Sequence, residues 1–255
     1  MGRIIKYVLL DIFKNKIVLG YTLILSVLSW SSFNLEDNSA KGLLTLLNLI
    51  LLTVPLVTIL FSTIYLYNSA EFIELLLSQP IPRKKIWLSL YVGLCLSLVS
   101  AFLIGSGIPL LVNAMDMVGI MMILVGTLTT VIFVSLAFLA SISTRDKARG
   151  IGISIMTWLF FALLFDGLVL FLLFQFSDYP IEKAMLVVTT LSPVDLARIM
   201  ILLHLDISAM MGYTGAIFKD FFGTGTGIAV SFMLLSLWAF IPFYISLKKF
   251  KKNDL

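Results

Sequence analysis

VGIMMILVGTLTTVIFVSLAFLASI, residues 118–142, runs for 25 positions without a charged side chain. A helix needs about 20 mostly apolar residues to cross the roughly 30 Å hydrocarbon core of a bilayer. Lipid offers the backbone no hydrogen-bond partners, and a helix satisfies its own N–H and C=O groups. The stretch is also far longer than a buried β-strand, so it predicts a transmembrane helix.

The rest of the chain has the same character. It is 60% hydrophobic and 13% charged over 255 residues, whereas a soluble domain carries roughly 25% charged residues. Five further apolar runs lie at about 17–33, 43–67, 86–112, 151–176 and 228–247. We therefore predict an all-α integral membrane protein whose single domain, 1–255, contains six transmembrane helices. Three prolines inside these runs are expected to kink their helices, namely Pro55, Pro109 and Pro242.

The positions of the basic residues predict the orientation. If both termini are cytoplasmic, the far side keeps only Lys41, Lys183, Arg198 and Lys219, which leaves 14 of the 18 Lys and Arg residues for the cytoplasmic side. That split follows the positive-inside rule, so the net charge of +4 does not indicate a nucleic-acid partner. A seventh span would move the C-terminal lysines outside, so we place 177–227 as a helical extracytoplasmic insert.

Within the insert, Ser192, Pro193 and Asp195 form a helix start, with Ser as N-cap, Pro at the first helical position and an acid in the first turn. A second helix is expected from Thr214 to Phe222, ended by Gly223. Both would be short and amphipathic. They are expected to lie on the membrane surface, pack on each other, or dock a partner.

Residues 1–16 predict a helix in the cytoplasmic headgroup layer, since apolar side chains recur there at helical spacing among basic ones. The alternative is a cleaved signal peptide. The acidic Asp11 and the lack of a small-x-small cleavage site argue against it.

The loop at 69–85, between the second and third spans, combines apolar and acidic residues. Phe72, Leu75 and Leu76 are expected to share a helix face, with Glu71 and Glu74 opposite. The loop is either an interfacial helix without a partner or a coupling helix that inserts into a groove of a cytoplasmic motor protein. The residues assigned to the coupling role are Glu71, Phe72, Glu74, Leu75, Leu76, Pro80 and Arg83.

This acidic helix, followed by Leu-Leu, a proline and a basic residue before the third span, resembles the permeases of ABC-2-type exporters. The six spans, the N-terminal helix and the late insert resemble them too. The segments Leu191–Asp195, Asp206–Ala216 and Phe218–Gly223 are similar to the NosY-type permeases, which serve maturation of nitrous oxide reductase in denitrification.

The resemblance implies a homodimer in the inner membrane of a bacterium. It also implies two copies of a cytoplasmic ABC ATPase, which hold ATP and Mg, and a periplasmic β-helical protein that handles copper. The complex would assemble the copper–sulfide site of the reductase, by exporting a sulfur species or by remodelling the periplasmic partner. The insert residues assigned to that partner are Asp195, Arg198, Asp206, Met210, Tyr213 and Phe218.

The chain has no G-x-x-x-x-G-K-[ST] motif, so it lacks a phosphate-cradling loop of that type. We expect a permease that is no enzyme, binds no cofactor and relies on a separate ATPase subunit. Two alternatives stay open, namely a generic ABC-2 exporter of a lipid, drug or polysaccharide, and a membrane anchor that holds a periplasmic partner without transport.

Three further residues invite a functional interpretation. Asp166 lies inside the fifth span, where a charge is costly, so it could face a pore, a dimer interface or the outer headgroups. Met200 and His204 lie one helical turn apart and suit copper chemically. Packing for Met200 and simple exposure for His204 are the plainer alternatives. Cys95 is expected to be an inert core residue.

Overall fold

The computed structural model describes residues 2–35, 39–176, 187–202 and 225–252, and these residues form helices and turns without a β-strand. The first half contains α1 Gly2–Phe13, α2 Lys16–Leu35, α3 Ser39–Asn68, α4 Ala70–Leu77, α5 Arg83–Phe102, a π-helical turn Leu103–Gly107 and α6 Ile108–Asn113. The second half contains α7 Met117–Ser143, α8 Lys147–Leu159, a π-helical turn Phe160–Leu164, α9 Phe165–Gln175, α10 Pro193–Leu202 and α11 Gly225–Lys252.

Six helical segments among the described residues are long and apolar enough to cross a membrane. They are Lys16–Leu35, Ala40–Asn68, Arg83–Asn113, Met117–Ser143, Lys147–Leu172 and Gly225–Lys252. Each coincides with one predicted span and extends it by one to five residues at most ends. The prediction of an all-α integral membrane protein with six spans is therefore confirmed.

Helix α7 forms the centre of the bundle, where it packs against α3, α5 and α11. Its side chains Phe133 and Phe138 are fully buried. An aromatic cluster joins α5 to α11 beside it, because Trp87 stacks on Phe250 with ring centroids 4.2 Å apart and Tyr91 stacks on Phe243 at 3.9 Å. This dense apolar contact holds the central helices together.

Small polar side chains link the spans inside the bundle. The hydroxyl of Ser29 donates to Ser106 at 2.9 Å, and the Thr63 and Ser154 hydroxyls lie 2.7 Å apart. Such pairs need close helix approach and find no competing water in lipid. They join α2 to the first π-helical turn and α3 to α8.

The first π-helical turn lies directly before Pro109. Proline has no N–H and its ring crowds the preceding turn of an α-helix. Here the Ile108 N–H donates to the Leu103 carbonyl oxygen, five residues back, and α6 begins immediately afterwards. Pro55 and Pro242 lie within the continuous helices α3 and α11, and the kinks expected there stay predictions.

Helix α1 packs on the bundle with one face. Val8 and Ile12 are fully buried, and Gly93 of α5 lets Val8 approach so closely that an added Cβ would lie 2.6 Å from Val8 Cγ1. The Tyr65 hydroxyl donates to the Asp11 carboxylate at 3.1 Å. The other face exposes apolar side chains such as Leu10, which suits the predicted headgroup layer.

We refer to the end of the bundle that carries α1, α4, the turn at 144–146 and the last turn of α11 as the basic end. Lys249 Nζ donates to the Ser143 hydroxyl there at 3.0 Å, and Lys147 Nζ donates to Asn68 Oδ1 at 2.7 Å. Helix α10 lies at the opposite end. The chain thus brings α4 and α10, the two predicted functional elements, to opposite ends of one bundle.

Candidate functional site

The first candidate element is α4, which has one anchored face and one open face. Ile73 and Leu76 are buried, whereas Leu75 is 64% exposed. Glu71 and Glu74 are exposed beside Leu75. The open face is therefore a ridge of Glu71, Glu74 and Leu75, which we call the α4 ridge.

The predicted apolar face of α4 is divided by the structure. Leu76 points into the bundle, and Phe72 stacks on Tyr7 of α1 with ring centroids 5.0 Å apart. Only Leu75 of the three predicted apolar residues is open to a partner. The eight-residue helix AEFIELLL carries apolar side chains on most of its circumference, so contact with α1 and α5 decides which of them are buried.

Helix α4 is joined tightly to the next span. The Ser78 N–H donates to the Glu74 carbonyl oxygen, and the Lys85 N–H donates to the Pro82 carbonyl oxygen at 2.8 Å. Pro80 is exposed in this short link, and Arg83 is the first residue of α5. The link between α4 and α5 is therefore short, covering only residues 78–82.

The second candidate element is α10, which begins where the sequence predicts. Pro193 is its first residue, and the Ser192 hydroxyl accepts a hydrogen bond from the Asp195 N–H at 3.2 Å. Leu196, Ala197 and Ile201 are buried against neighbours that include α7 and α11. Helix α10 therefore packs on the bundle itself, a placement that was not among those predicted for the insert helices.

A charge cluster joins α10 to the fifth span. Arg198 Nη1 donates to both carboxylate oxygens of Asp166, at 2.8 and 2.7 Å, and lies 3.4 Å from Asp195 Oδ1. Asp166 follows the second π-helical turn, in which the Phe165 N–H donates to the Phe160 carbonyl oxygen. That turn changes the register of α9 relative to α8. We call these three residues the α10 charge cluster.

The cluster holds two carboxylates and one guanidinium. Asp195 is 5% exposed, and neither its Oδ2 atom nor Arg198 Nε has a hydrogen-bond partner. Burial, together with the neighbouring carboxylate of Asp166, raises the pKa of Asp195 to about 7, although Arg198 and Ser192 act in the opposite direction. The cluster can therefore gain or lose a proton near neutral pH.

The predicted partner contacts of the insert meet different outcomes. Asp195 and Arg198 are engaged with Asp166 inside the chain, and their contact with a periplasmic partner stays a prediction. Asp206, Met210, Tyr213 and Phe218 lie outside the described residues. His204 lies outside them as well, and Met200 is buried. Among the described residues, no three His, Cys, Asp or Glu side chains are placed to hold a metal ion.

The pairing of Asp166 with Arg198 was not predicted. A signal was nevertheless present, because an acid inside a span favours a nearby base and Arg198 is the one basic residue of α10. Asp166 and Arg198 are 32 positions apart, and part of the intervening chain lies outside any span. Local sequence patterns therefore do not reveal the pair.

Helix α8 borders an open groove. The groove measures about 830 Å³ and continues along the π-helical turn; its lining includes Arg149, Ile153, Met156, Phe160 and Leu164. Met156 and Leu164 are exposed there. The described residues of one copy leave this apolar flank uncovered.

Comparison with known protein families gives one match. The model described as ABC-2 family transporter protein matches residues 49–255, which covers more than half of the chain. No curated protein matches the sequence. The matched range begins in α3 and includes both α4 and α10.

Proposed function

Because the chain belongs to the ABC-2 family of transporter proteins, and is thus a membrane permease subunit of an ABC transporter, we propose that it carries motion from a cytoplasmic ATPase to the outer face of the membrane. The input element would be α4 and the output element α10. The observation that carries this proposal is the α4 ridge, where Leu75 is 64% exposed beside Glu71 and Glu74 on a helix anchored by Ile73 and Leu76.

An exposed leucine on a short amphipathic helix suits insertion into an apolar groove of a partner. The partner we propose is an ABC ATPase bound at the basic end, which is the cytoplasmic end under the positive-inside rule. The short link from α4 to Arg83 would pass its motion to α5 and the central helices. The two acids of the ridge would select a groove with a basic rim.

The permease is proposed to act as a homodimer with two ATPase copies. The apolar groove along α8 supports this proposal, since a second copy of the chain would cover side chains such as Met156 and Leu164. A path for cargo would run along that groove. Closure of the two ATPases on ATP and Mg would alternately open and close this path.

The finer proposal is a NosY-type role in maturation of the copper–sulfide site of nitrous oxide reductase. Its support is the likeness of residues 191–223 to those permeases, together with the docking of α10 through Asp166 and Arg198. A periplasmic β-helical, copper-handling partner would then contact the insert. Export of a sulfur species and remodelling of that partner are the two chemistries it could serve. A generic exporter of a lipid, drug or polysaccharide is the alternative.

The test is purification of the C-terminally tagged chain from its native membrane in mild detergent, followed by mass spectrometry of what accompanies it. An ABC ATPase with a periplasmic β-helix protein supports the maturation role, and the ATPase alone supports a generic exporter. Recovery of neither, in a detergent that preserves other ABC complexes, would favour a non-transporting anchor and refute the role of α4.

A matched pair of variants sharpens the result. Leu75→Asp removes a leucine contact that would be buried in the proposed complex, worth about 1.5–3 kcal/mol, and adds a third acid to the ridge. ATPase binding should therefore weaken by roughly 10- to 100-fold. Leu75→Met conserves volume and should bind normally. Leu76 is unsuitable for this test because it is buried, and an acid there would disturb the bundle itself.

A further inference from the structure

Three hydroxyl groups at the contact of α2 and α3 are buried without a hydrogen-bond partner. Tyr21 is 4% exposed, and Thr58 and Ser62 are fully buried. Within the part of the chain that the structure describes, their side-chain oxygens form no hydrogen bond. A buried hydroxyl without a partner is costly, because folding removes its bonds to water and returns none. We propose that these three hydroxyls bind one internal water molecule that bridges the two helices.

The three hydroxyls come from facing sides of two helices. Thr58 and Ser62 are one helical turn apart on α3, so they share a face and their Cβ atoms are about 5–6 Å apart. The Tyr21 hydroxyl of α2 lies beside that of Thr58. Tyr21 therefore closes, from the opposite helix, a small polar site whose other side is the hydroxyl stripe of α3.

The two hydroxyls of α3 are not used by their own helix. A Ser or Thr side chain inside a helix commonly donates to the carbonyl oxygen four residues back. Thr53 of the same helix does so, to Leu49 at 2.6 Å, whereas Thr58 and Ser62 form no such bond. Each of these two hydroxyls can therefore donate to a ligand and accept from it.

The chemistry of the site selects water. Tyr21, Thr58 and Ser62 supply no charge, and a buried ion without a neutralising partner would be strongly disfavoured. The ligand must therefore be neutral and small, and it must both donate and accept hydrogen bonds. Internal water typically makes about three hydrogen bonds to buried polar groups that lack other partners. A bridging water is nearly as favourable in enthalpy as a direct bond between the neighbouring Tyr21 and Thr58 hydroxyls.

The site lies close to a polar contact at the basic end. Tyr65 is the next polar residue on the same face of α3, and its hydroxyl donates to the exposed Asp11 carboxylate of α1 at 3.1 Å. Ser62 and Tyr65 are about 4.5 Å apart along the helix axis. The bound water should therefore exchange with solvent from the basic end, past Tyr65 and Asp11.

Radiolytic hydroxyl-radical labelling tests for the water directly. The full chain in lipid nanodiscs is exposed to a microsecond X-ray pulse, which forms radicals from water, including water bound inside the protein. Peptide mass spectrometry then measures oxidation of each aromatic ring. After correction for intrinsic reactivity, Tyr21 should be oxidised clearly faster than Phe133 and Phe138, which are fully buried. A short preincubation in oxygen-18 water should place the heavy isotope on Tyr21.

A matched pair of variants separates a bound water from chance access. Thr58→Val with Ser62→Ala removes two of the three partners of the water, so oxidation of Tyr21 should fall by about tenfold. Thr129→Val is the control, since Thr129 is equally buried but bonds the Val125 carbonyl oxygen of its own helix at 2.8 Å. That control should leave the oxidation of Tyr21 unchanged.

Thermal unfolding supplies a second test whose sign is decisive. If a water joins the hydroxyls, Tyr21→Phe and Ser62→Ala should each lower the unfolding midpoint by about 2–4 °C. The double variant should lower it little more than either single variant, because both changes remove the same water. Without the water, deleting an unpartnered hydroxyl should leave the midpoint unchanged or raise it.

Three results would overturn the proposal. The first is oxidation of Tyr21 no faster than that of Phe133, and the second is an unfolding midpoint that Tyr21→Phe does not lower. The third is strict additivity of Tyr21→Phe and Ser62→Ala, which would instead indicate a direct bond from Tyr21 to Thr58. None of these measurements involves an ATPase or a cargo, so their outcome is independent of the proposed function.

Discussion

Replacing Arg198 by leucine should release α10 from the fifth span. Arg198 holds both oxygens of Asp166 at 2.8 and 2.7 Å and also approaches Asp195. A hydrogen bond to a charged group contributes about 1.5–3 kcal/mol. The side chains of Arg198 and Asp166 are 27% and 34% exposed, so solvent screening places the pair near the lower limit.

Arg198→Leu has a second effect, because it leaves two carboxylates together without a positive charge. Removing one partner of this partly buried pair strands the other charge, which adds to the cost of the lost bonds. We therefore expect Arg198→Leu to weaken docking of α10 by about 2–3 kcal/mol. Asp166→Asn should cost about 1–2 kcal/mol, since Arg198 keeps Asp195 as a partner.

Asp195→Asn should behave differently from both. Its contact with Arg198 is long, at 3.4 Å, and the change removes a like charge beside Asp166. Docking of α10 should then be no weaker than in the unmodified chain at pH 8. The three substitutions therefore form a ranked series, with Arg198→Leu the most disruptive and Asp195→Asn the least.

Hydrogen–deuterium exchange of peptides covering 193–202, in lipid nanodiscs, measures this docking. A loss of 2–3 kcal/mol raises the exchange rate roughly 30- to 150-fold. The half of α7 at the basic end serves as an internal reference. Unchanged exchange in Arg198→Leu, or acceleration in Asp195→Asn as large as that in Arg198→Leu, would refute the assignment of the cluster as the link between α10 and α9.

The same experiment has a defined pH dependence. Docked Asp195 has a pKa of about 7, compared with 3.8 for the free group. Docked α10 therefore binds more protons than released α10 between these values, and docking weakens as pH rises from about 4 to about 7 and levels off above. After correction for intrinsic exchange, that slope should disappear in Asp195→Asn, and its persistence would assign the proton to another group.

Three further substitutions test the packing of α3 against α8. Gly150→Ala should lower stability by about 1–3 kcal/mol, because its Cβ would overlap the Tyr67 hydroxyl, which hydrogen bonds fix in place. An added Cβ at Gly152 would meet no atom within 4 Å, so Gly152→Ala should stabilise the same helix by up to about 1 kcal/mol in thermal unfolding. Equal changes in stability for Gly150→Ala and Gly152→Ala would contradict the close contact between Gly150 and Tyr67. Thr63→Val should cost about 0.6 kcal/mol in the same assay by losing its bond to Ser154, and a loss above about 2 kcal/mol would exclude this simple explanation.

The spans were predictable because each depends on local sequence. An apolar run of membrane length leaves the backbone one stable choice, whatever its neighbours are. The start of α10 was also predictable, since the capping bond from Ser192 joins residues three positions apart. Neither prediction required any knowledge of which helices pack together.

The exposed face of α4 could not be predicted in the same way. Helical spacing allows Phe72, Leu75 and Leu76 to share one face. In the structure, Leu76 is buried together with Ile73, and Phe72 stacks on Tyr7 of α1. Which side chains of α4 are buried depends on the positions of α1 and α5. Their positions are fixed by contacts distant in sequence, such as that of Gly93 with Val8.

The sequence by itself determined that the chain crosses a membrane six times and that its basic residues gather at one end. Hydropathy and charge act on each segment separately, so these properties need no partner helix. The tertiary structure alone decided that Asp166 meets Arg198 and that Leu75, rather than Leu76, is open to a partner. Those outcomes depend on distances between residues far apart in the chain, and only the packed bundle sets such distances.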